Sequence, residues 1–356
     1  MPLPMALDHI NLWLLEDGDG WTIVDTGLKS SRIQAQWEQV FAAHLGAKPV
    51  KRVIATHMHP DHIGQAGWLC DRWKCELWIT RTDWLFARML SLEALPEPPR
   101  DAVEFYRRVG FPVDALDFFR NSGYGNFAKG VTPIPIGHRR IQDGEEIEIG
   151  SRRWRVIVGR GHSPEHACLY AADIGVLIAG DMVLPRISPH IGIYPSEPDA
   201  NPLRDYLDSL PTFSRLPEDT LVLPSHNEPF YGLHARIAQL AEHHDLRLKA
   251  LIGALGEERS VYDLIPSMFK RELDTRNRFF ASGEALAHVQ HLLVDGRIER
   301  RVRADGVVLY RRKARAEAAA LACPAAGLRA TISPWPIGSK PSRAPCSRRN
   351  TTPRRT

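Results

Sequence analysis

The chain has 356 residues and a mass of 40.1 kDa, with 44% apolar and 25% charged residues, the balance of a soluble globular protein able to bury a full core. The formal charge is +4, but residues 314–356 hold eight Lys/Arg against one Glu, a local +7, so the first 313 residues carry −3 and lack the basic signature of nucleic-acid binding. No apolar run reaches the roughly 20 residues that cross a bilayer, no basic-then-apolar leader opens the chain, and the five scattered cysteines (Cys70, Cys75, Cys168, Cys323 and Cys346) speak against a disulfide framework, so a cytoplasmic protein with no membrane partner is expected.

In chain order, the apolar runs 12–15 and 21–24 flank Asp17-Gly18-Asp19-Gly20, which is hairpin chemistry. Ser30 or Ser31 caps a helix through Trp37, Val40 and Phe41 to Gly46. A buried strand at 50–55 delivers the chain to a histidine-rich turn, a helix follows from Ile63, and 77–79 form the next strand. Such alternation places helices on the faces of sheets. Residues 82–130 read as a helical insertion rich in aromatics, including Trp84, Phe86, Phe105 and Tyr106, placed to cover a site mouth or to pack among themselves. Strands resume at 142–149, 154–158, 168–171, 176–179 and 221–223. Helices at 235–255, 261–265 and 283–293 and two short strands at 298–302 and 307–310 then suggest a small winged-helix-like module. The basic tail of 314–356, with six prolines, reads as disordered. The expected domains are therefore 1–230, 231–313 and the tail. The helical module is expected to pack on the first domain or to mediate a homodimer.

The informative segment is His57-Met58-His59-Pro60-Asp61-His62, four potential ligands within six residues directly after a strand. In a turn, His57 and His59 can face one point while Asp61 and His62 reach a second. Imidazole and carboxylate donors suit zinc at about 2.0–2.2 Å, and two ions roughly 3.5–4 Å apart would use all four groups. Three later signals each end an apolar strand: Gly161-His162-Ser163, Gly180-Asp181 and Ser225-His226. Each is weak singly. In this order they form a set.

With these residues the chain resembles the metallo-β-lactamase superfamily over residues 7–230. The resemblance implies a four-layer αββα sandwich of α/β class, with the site at one edge of the two sheets. It implies that His57, His59 and His162 hold one ion, that Asp61, His62 and His226 hold the other, and that Asp181 bridges them. Asp25, in Val24-Asp25-Thr26-Gly27, matches a further superfamily motif and would support the metal loop from behind. Relatives often carry a strand before the segment matching Met1 to Pro4, so a late start and a lost edge strand are expected.

Two divalent cations, zinc by default with iron or manganese also compatible, would lower the pKa of a shared water so that hydroxide attacks a substrate carbonyl. Asp61 and Asp181 are the expected catalytic carboxylates, Asp61 orienting the water and passing a proton to the leaving group. His190 and Tyr194, in the loop after Asp181, are expected substrate contacts. The layout most resembles glyoxalase II-like hydrolases and related endoribonucleases. An acyl thioester such as acyl-CoA or a glutathione conjugate is the leading substrate, a lactone the next and RNA the third. The non-enzymatic alternative is a winged-helix DNA-binding regulator, although its recognition helix at 284–293 would contain no Lys or Arg.

Overall fold

Alternation of apolar residues along the strands builds the molecule. The computed structural model describes residues 1–4 and 7–313, so the tail read as disordered, with Cys323 and Cys346, lies outside the described residues. Five strands, β1 (Trp13–Asp17), β2 (Gly20–Val24), β3 (Val50–Ile54), β4 (Glu76–Ile79) and β5 (Arg139–Arg140), pair in that order. A second sheet has the order β10-β9-β8-β7-β6, from β6 (Glu146–Ile149), β7 (Arg152–Gly159), β8 (His166–Ala171), β9 (Val176–Gly180) and β10 (Leu221–Pro224). Successive side chains of a strand face opposite sides, and here the two sides join different cores. Val24, Ile54, Val156, Leu169 and Ile178 meet between the sheets. Their neighbours Ile23, Val53 and Leu77 pack outward under helices, as Ile157, Cys168, Leu177 and Val222 do on the other side. Four layers result.

The outer layer of the first sheet starts with α1 (Ser31–His44). The Ser30 side chain accepts from the Ile33 amide, and Ile33, Trp37 and Phe41 form its buried stripe. The helix expected from Ile63 is instead a short turn, α2 (Pro60–Ile63), followed by α3 (Ala66–Trp73). The aromatic-rich insertion forms α4 (Arg81–Leu92), α5 (Arg100–Val109), α6 (Val113–Arg120) and α7 (Phe127–Gly130). Of the strand expected over 142–149 only the second half forms, as β6, because a turn at Gly144 with φ 75° occupies the first half; β5 precedes that stretch and pairs in the other sheet.

The second outer layer includes α8 (Pro202–Phe213), a helix absent from the expected elements. Asn201 caps it and Leu203, Tyr206, Leu210 and Phe213 line its buried side. The remaining elements are α9 (Leu233–Ala254), α10 (Val261–Met268), α11 (Thr275–Val294) and the hairpin of β11 (Ile298–Val302) with β12 (Val308–Arg312). Three helices and a hairpin occur in the expected order, yet residues 1–313 form one compact unit. Leu240, Leu251, Ala285 and Leu292 share a single core with β8 and β9. Every residue of α11 from Ala281 to Leu292 is buried. The helix expected to read a DNA groove therefore presents no such face, because packing against α8, α9 and α10 encloses it.

Among the described residues no helix is long and apolar enough to cross a membrane. Cys70, Cys75 and Cys168 are free thiols.

Candidate metal centre

β7 and β9 both run antiparallel to β8, and β2 with β3 and β9 with β10 are parallel pairs. Asp25, the 57–62 turn, His162, Asp181 and His226 each follow the C-terminal end of one of these strands. The strand ends of two rigid sheets thus deliver side chains from five segments to one place.

Three imidazole nitrogens converge first. His57 Nε2 is 2.8 Å from His59 Nδ1 and 3.2 Å from His162 Nε2, and the last two are 3.0 Å apart. Three nitrogens cannot all hydrogen-bond one another. Ligands of one tetrahedral zinc at about 2.0–2.1 Å would stand roughly 3.3 Å apart. The triangle has that size.

The second group is Asp61, His62 and His226. Asp61 Oδ2 lies 3.6 Å from His62 Nε2 and 3.4 Å from His226 Nε2. Asp181 stands between the groups, with Oδ1 3.5 Å from both His62 and His226 and Oδ2 3.3 Å from His162 Nε2. His62 Nε2, His226 Nε2 and Asp181 Oδ1 are shielded from solvent without a hydrogen-bond partner among the described residues. Buried polar atoms are normally satisfied, and a cation satisfies these three together. The donor set, nitrogen and carboxylate oxygen only, fits zinc, iron or manganese equally.

The other ring atoms are held from behind. His62 Nδ1 lies 2.8 Å from Asp25 Oδ2. The Thr56 hydroxyl donates to the same oxygen at 2.9 Å and is 3.0 Å from His57 Nδ1. His162 Nδ1 donates to the His190 carbonyl at 2.8 Å, and His226 Nδ1 to that of His9 at 3.0 Å. Each ring therefore turns its remaining nitrogen into the site. Asp25 sits at φ 62°, a left-handed conformation that Asp tolerates better than most residues.

Electrostatics divide the two groups in the metal-free chain. Burial, with neighbouring histidines, holds His57 well below its usual range and His59 at about 3, so both rings are neutral. Burial also pushes His62 and His226 down, but carboxylates outweigh it. Asp61, Asp181 and Asp25 raise His62 well above its usual value, and the neighbouring Asp181 and Asp61 carboxylates raise His226 to about 10. Burial would raise Asp181, yet His62, His162 and His226 hold it well below the carboxylate range.

Three residues that the sequence reading did not single out complete the site. His166 accepts from the Asp181 amide at 3.0 Å and stacks on His57 with ring centroids 4.6 Å apart. A Cβ on Gly180 would meet the His166 ring at 2.4 Å, and φ there is +53°, so only glycine serves between strand and ligand. Thr56 is the second. Asp83, in the first turn of α4, is the third: it accepts from the Met58 amide at 2.9 Å and the Glu165 amide at 2.7 Å. A histidine opening an apolar strand was a visible signal for His166. An aspartate in a helix offered none for Asp83.

A groove of about 500 Å³ opens beside His59 and His162, walled by Phe86, Ile193 and Tyr194 among others. Of the two expected substrate contacts, Tyr194 lines this groove and His190 does not. The His190 ring stacks on Phe280 of α11, centroids 3.8 Å apart, with Nδ1 3.6 Å from Glu284 Oε2. Its backbone carbonyl, not its ring, serves the site. Of the insertion expected to cover the mouth, Thr82 and Phe86 reach the groove. Phe111, Phe119 and Tyr106 pack with Phe279 instead.

Residues 6–226 match the family model of the metallo-beta-lactamase superfamily, and residues 248–313 that of a metallo-beta-lactamase-like C-terminal domain. The second match describes the helical region without reference to a winged helix. Among solved structures, the chain is similar to a beta-lactamase domain protein from Burkholderia ambifaria: 45% identity, TM-score 0.82, covering 88% of this chain and 91% of that one. It is also similar to a metallo-beta-lactamase family protein from Thermus thermophilus: 29% identity, TM-score 0.72, covering 88% and 97%. A probable metallo-hydrolase, YqjP, from Bacillus subtilis (strain 168) is 25% identical over 314 residues, 82% of this chain and 90% of the relative.

Proposed function

The chain belongs to the metallo-beta-lactamase superfamily, and from that premise we propose that it is a dinuclear metal-dependent hydrolase of an ester-type carbonyl, with a thioester as leading substrate. One observation carries the reading: seven His and Asp side chains meet where strands of both sheets end, with three of their buried polar atoms lacking hydrogen-bond partners among the described residues. His57, His59 and His162 would hold the first ion and Asp61, His62 and His226 the second, with Asp181 standing between the two groups. When bound, two such ions supply hydroxide at neutral pH and polarise a carbonyl. The chain's own residues do the rest. Asp61, at 15% side-chain exposure against 9% for Asp181, is the carboxylate better placed to take a proton and pass it to the leaving group. Burial would raise Asp61, but His62 and His226 keep it lowered and therefore ionised. Phe86 and Ile193 offer an apolar wall to an acyl chain, and Tyr194 lines the same groove.

A lactone needs the same attack and is the second reading. The endoribonuclease reading draws on the arginines of the β11–β12 hairpin. Arg301 is paired with Glu258, Arg303 with Asp305 and Arg311 with Glu299, which leaves these three cations engaged by acids.

The test is a hydrolysis panel on metal-loaded protein: thioesters, lactones, a chromogenic cephalosporin and RNA. Thioester or lactone turnover that disappears in Asp181→Ala is the expected result. Turnover of RNA alone, or undiminished turnover in the variant, overturns the reading.

A further inference from the structure

We infer that the groove beside the metal centre selects by charge, taking a carbonyl substrate that is neutral or cationic beyond the scissile bond and rejecting polyanions. This rests on the hydrolase reading above and narrows it. The excluded class includes CoA thioesters, glutathione conjugates and RNA.

The groove of about 500 Å³ starts at His59 and His162 and continues along α4 and the segment leading into α8. Its neutral lining is mixed, with Phe86 and Ile193 apolar and Thr82, Ser196 and Asn201 polar. Among the described residues no Lys or Arg lines it. The only charged side chains apart from the metal-facing histidines are carboxylates, Glu197 and Asp205.

Polyanion sites are commonly built the other way, with Arg forks or Lys ammonium groups aimed at phosphate. CoA carries several phosphate charges and glutathione free carboxylates. Beyond the metal end, either would meet two like charges with no Arg or Lys in the described lining. Nearby cations do not repair this. Arg204 is already paired with Asp295, and Arg160 acts on Asp205 from outside the lining. The adjoining cavity behind residues 195–199 contains Arg108 and Arg300, with Asp199 3.9 Å from Arg300 and Asp101 in the same lining. Among the described residues, an anionic tail running past the groove meets these cations only together with carboxylates.

The substrate chemistry that fits is a compact ester, thioester or lactone with an apolar acyl part and a hydroxyl, amide or amine at its far end. The neutral polar residues can hydrogen-bond the first two. The two carboxylates would attract the third.

A set of aryl thioesters and esters with one acyl group tests this, the distal substituent being neutral, quaternary ammonium or carboxylate, with the matching acyl-CoA as a fourth member. The expected kcat/KM for the carboxylate and CoA members is at least about 10-fold below the neutral one, a gap that narrows at high salt. The double substitution Glu197→Gln with Asp205→Asn should bring the carboxylate member to within about 3-fold. Both residues are exposed, so folding is not at stake. Equal or preferred turnover of the anionic members, or a ratio unmoved by the double substitution, overturns the inference. If no member is cleaved, the hydrolase reading fails by itself. Binding of non-hydrolysable amide analogues with the same three substituents, followed by calorimetry, then decides the charge order without turnover: neutral or cationic binding tightest supports it, anionic tightest refutes it.

Discussion

Asp25 Oδ2 lies 2.8 Å from Nδ1 of His62, while Asp25 Oδ1 accepts the Thr56 amide at 2.7 Å. One buried carboxylate thereby orients a ligand of the second group directly and His57 of the first through the Thr56 hydroxyl. Asn at position 25 tolerates the left-handed backbone, but its NH2 would face a donor. Asp25→Asn should therefore cost about 1–3 kcal/mol of stability and roughly 10–100-fold in metal affinity. Metal titration alongside thermal unfolding checks this; unchanged affinity for both ions would remove Asp25 from the supporting role.

Asp83 ties together the loops that carry His59 and His162, which come from different sheets. Its two oxygens accept Met58 and Glu165 amides, and Thr82 and Thr80 of the same turn bind Glu165 Oε2 at 2.9 Å and its carbonyl at 2.8 Å. Asp83→Asn should weaken the first ion by about 10-fold or more while the second is affected less. Equal losses at both positions, read from a cobalt titration, would mean that Asp83 only stabilises the fold.

Metal loading should release protons unequally. The rings of His57 and His59 are neutral before binding, whereas His226, at about 10, and His62 are protonated at neutral pH. Ligation requires neutral imidazole. The second ion should expel about two protons near pH 7 and the first none from these rings, so second-ion affinity falls as pH falls. For the metal-free fold the sign is opposite. A raised folded-state value for His226 contributes stability below the usual 6.5 that is lost as pH rises through about 10. Calorimetry in buffers of different ionisation heat measures the release; equal release at both sites contradicts the assignment.

Glu284 of α11 is buried against Arg247 of α9 and faces His190. Burial pushes its carboxyl up, but His190 and Arg247 bring it down to about 2. Glu284→Ala leaves Arg247 unpaired and should cost about 3–5 kcal/mol. A lowered carboxyl contributes stability above its usual 4.5 that disappears as pH falls toward about 2. The difference in unfolding temperature between wild type and Glu284→Gln should therefore shrink in acid. A constant difference from pH 7 to pH 3 would place the loss elsewhere.

Much of the site was legible because its residues are local and chemically unusual. His57, His59, Asp61 and His62 fall within six positions, and His162, Asp181 and His226 each end an apolar strand. Alternation likewise exposed most strands of both sheets. What was missed depends on tertiary contact. α8 carries Asn201 as its cap and Pro202 in its first turn, but the sequence reading passed over both, and Pro211 inside the helix interrupts its pattern. Asp83 and Glu284 look like ordinary helix-surface acids until packing buries them. His190 lies in the loop after Asp181, but its carbonyl rather than its ring meets His162, and no loop sequence shows which of the two turns inward. The winged-helix resemblance came from element order alone, and order does not say that α11 is enclosed.

Metal stoichiometry in three proteins tests the dinuclear centre most directly. Wild type should bind two ions per chain after dialysis against zinc, His226→Ala should keep the first and lose the second, and His162→Ala should lose the first. No bound ion in wild type, or two ions retained in both variants, would contradict it.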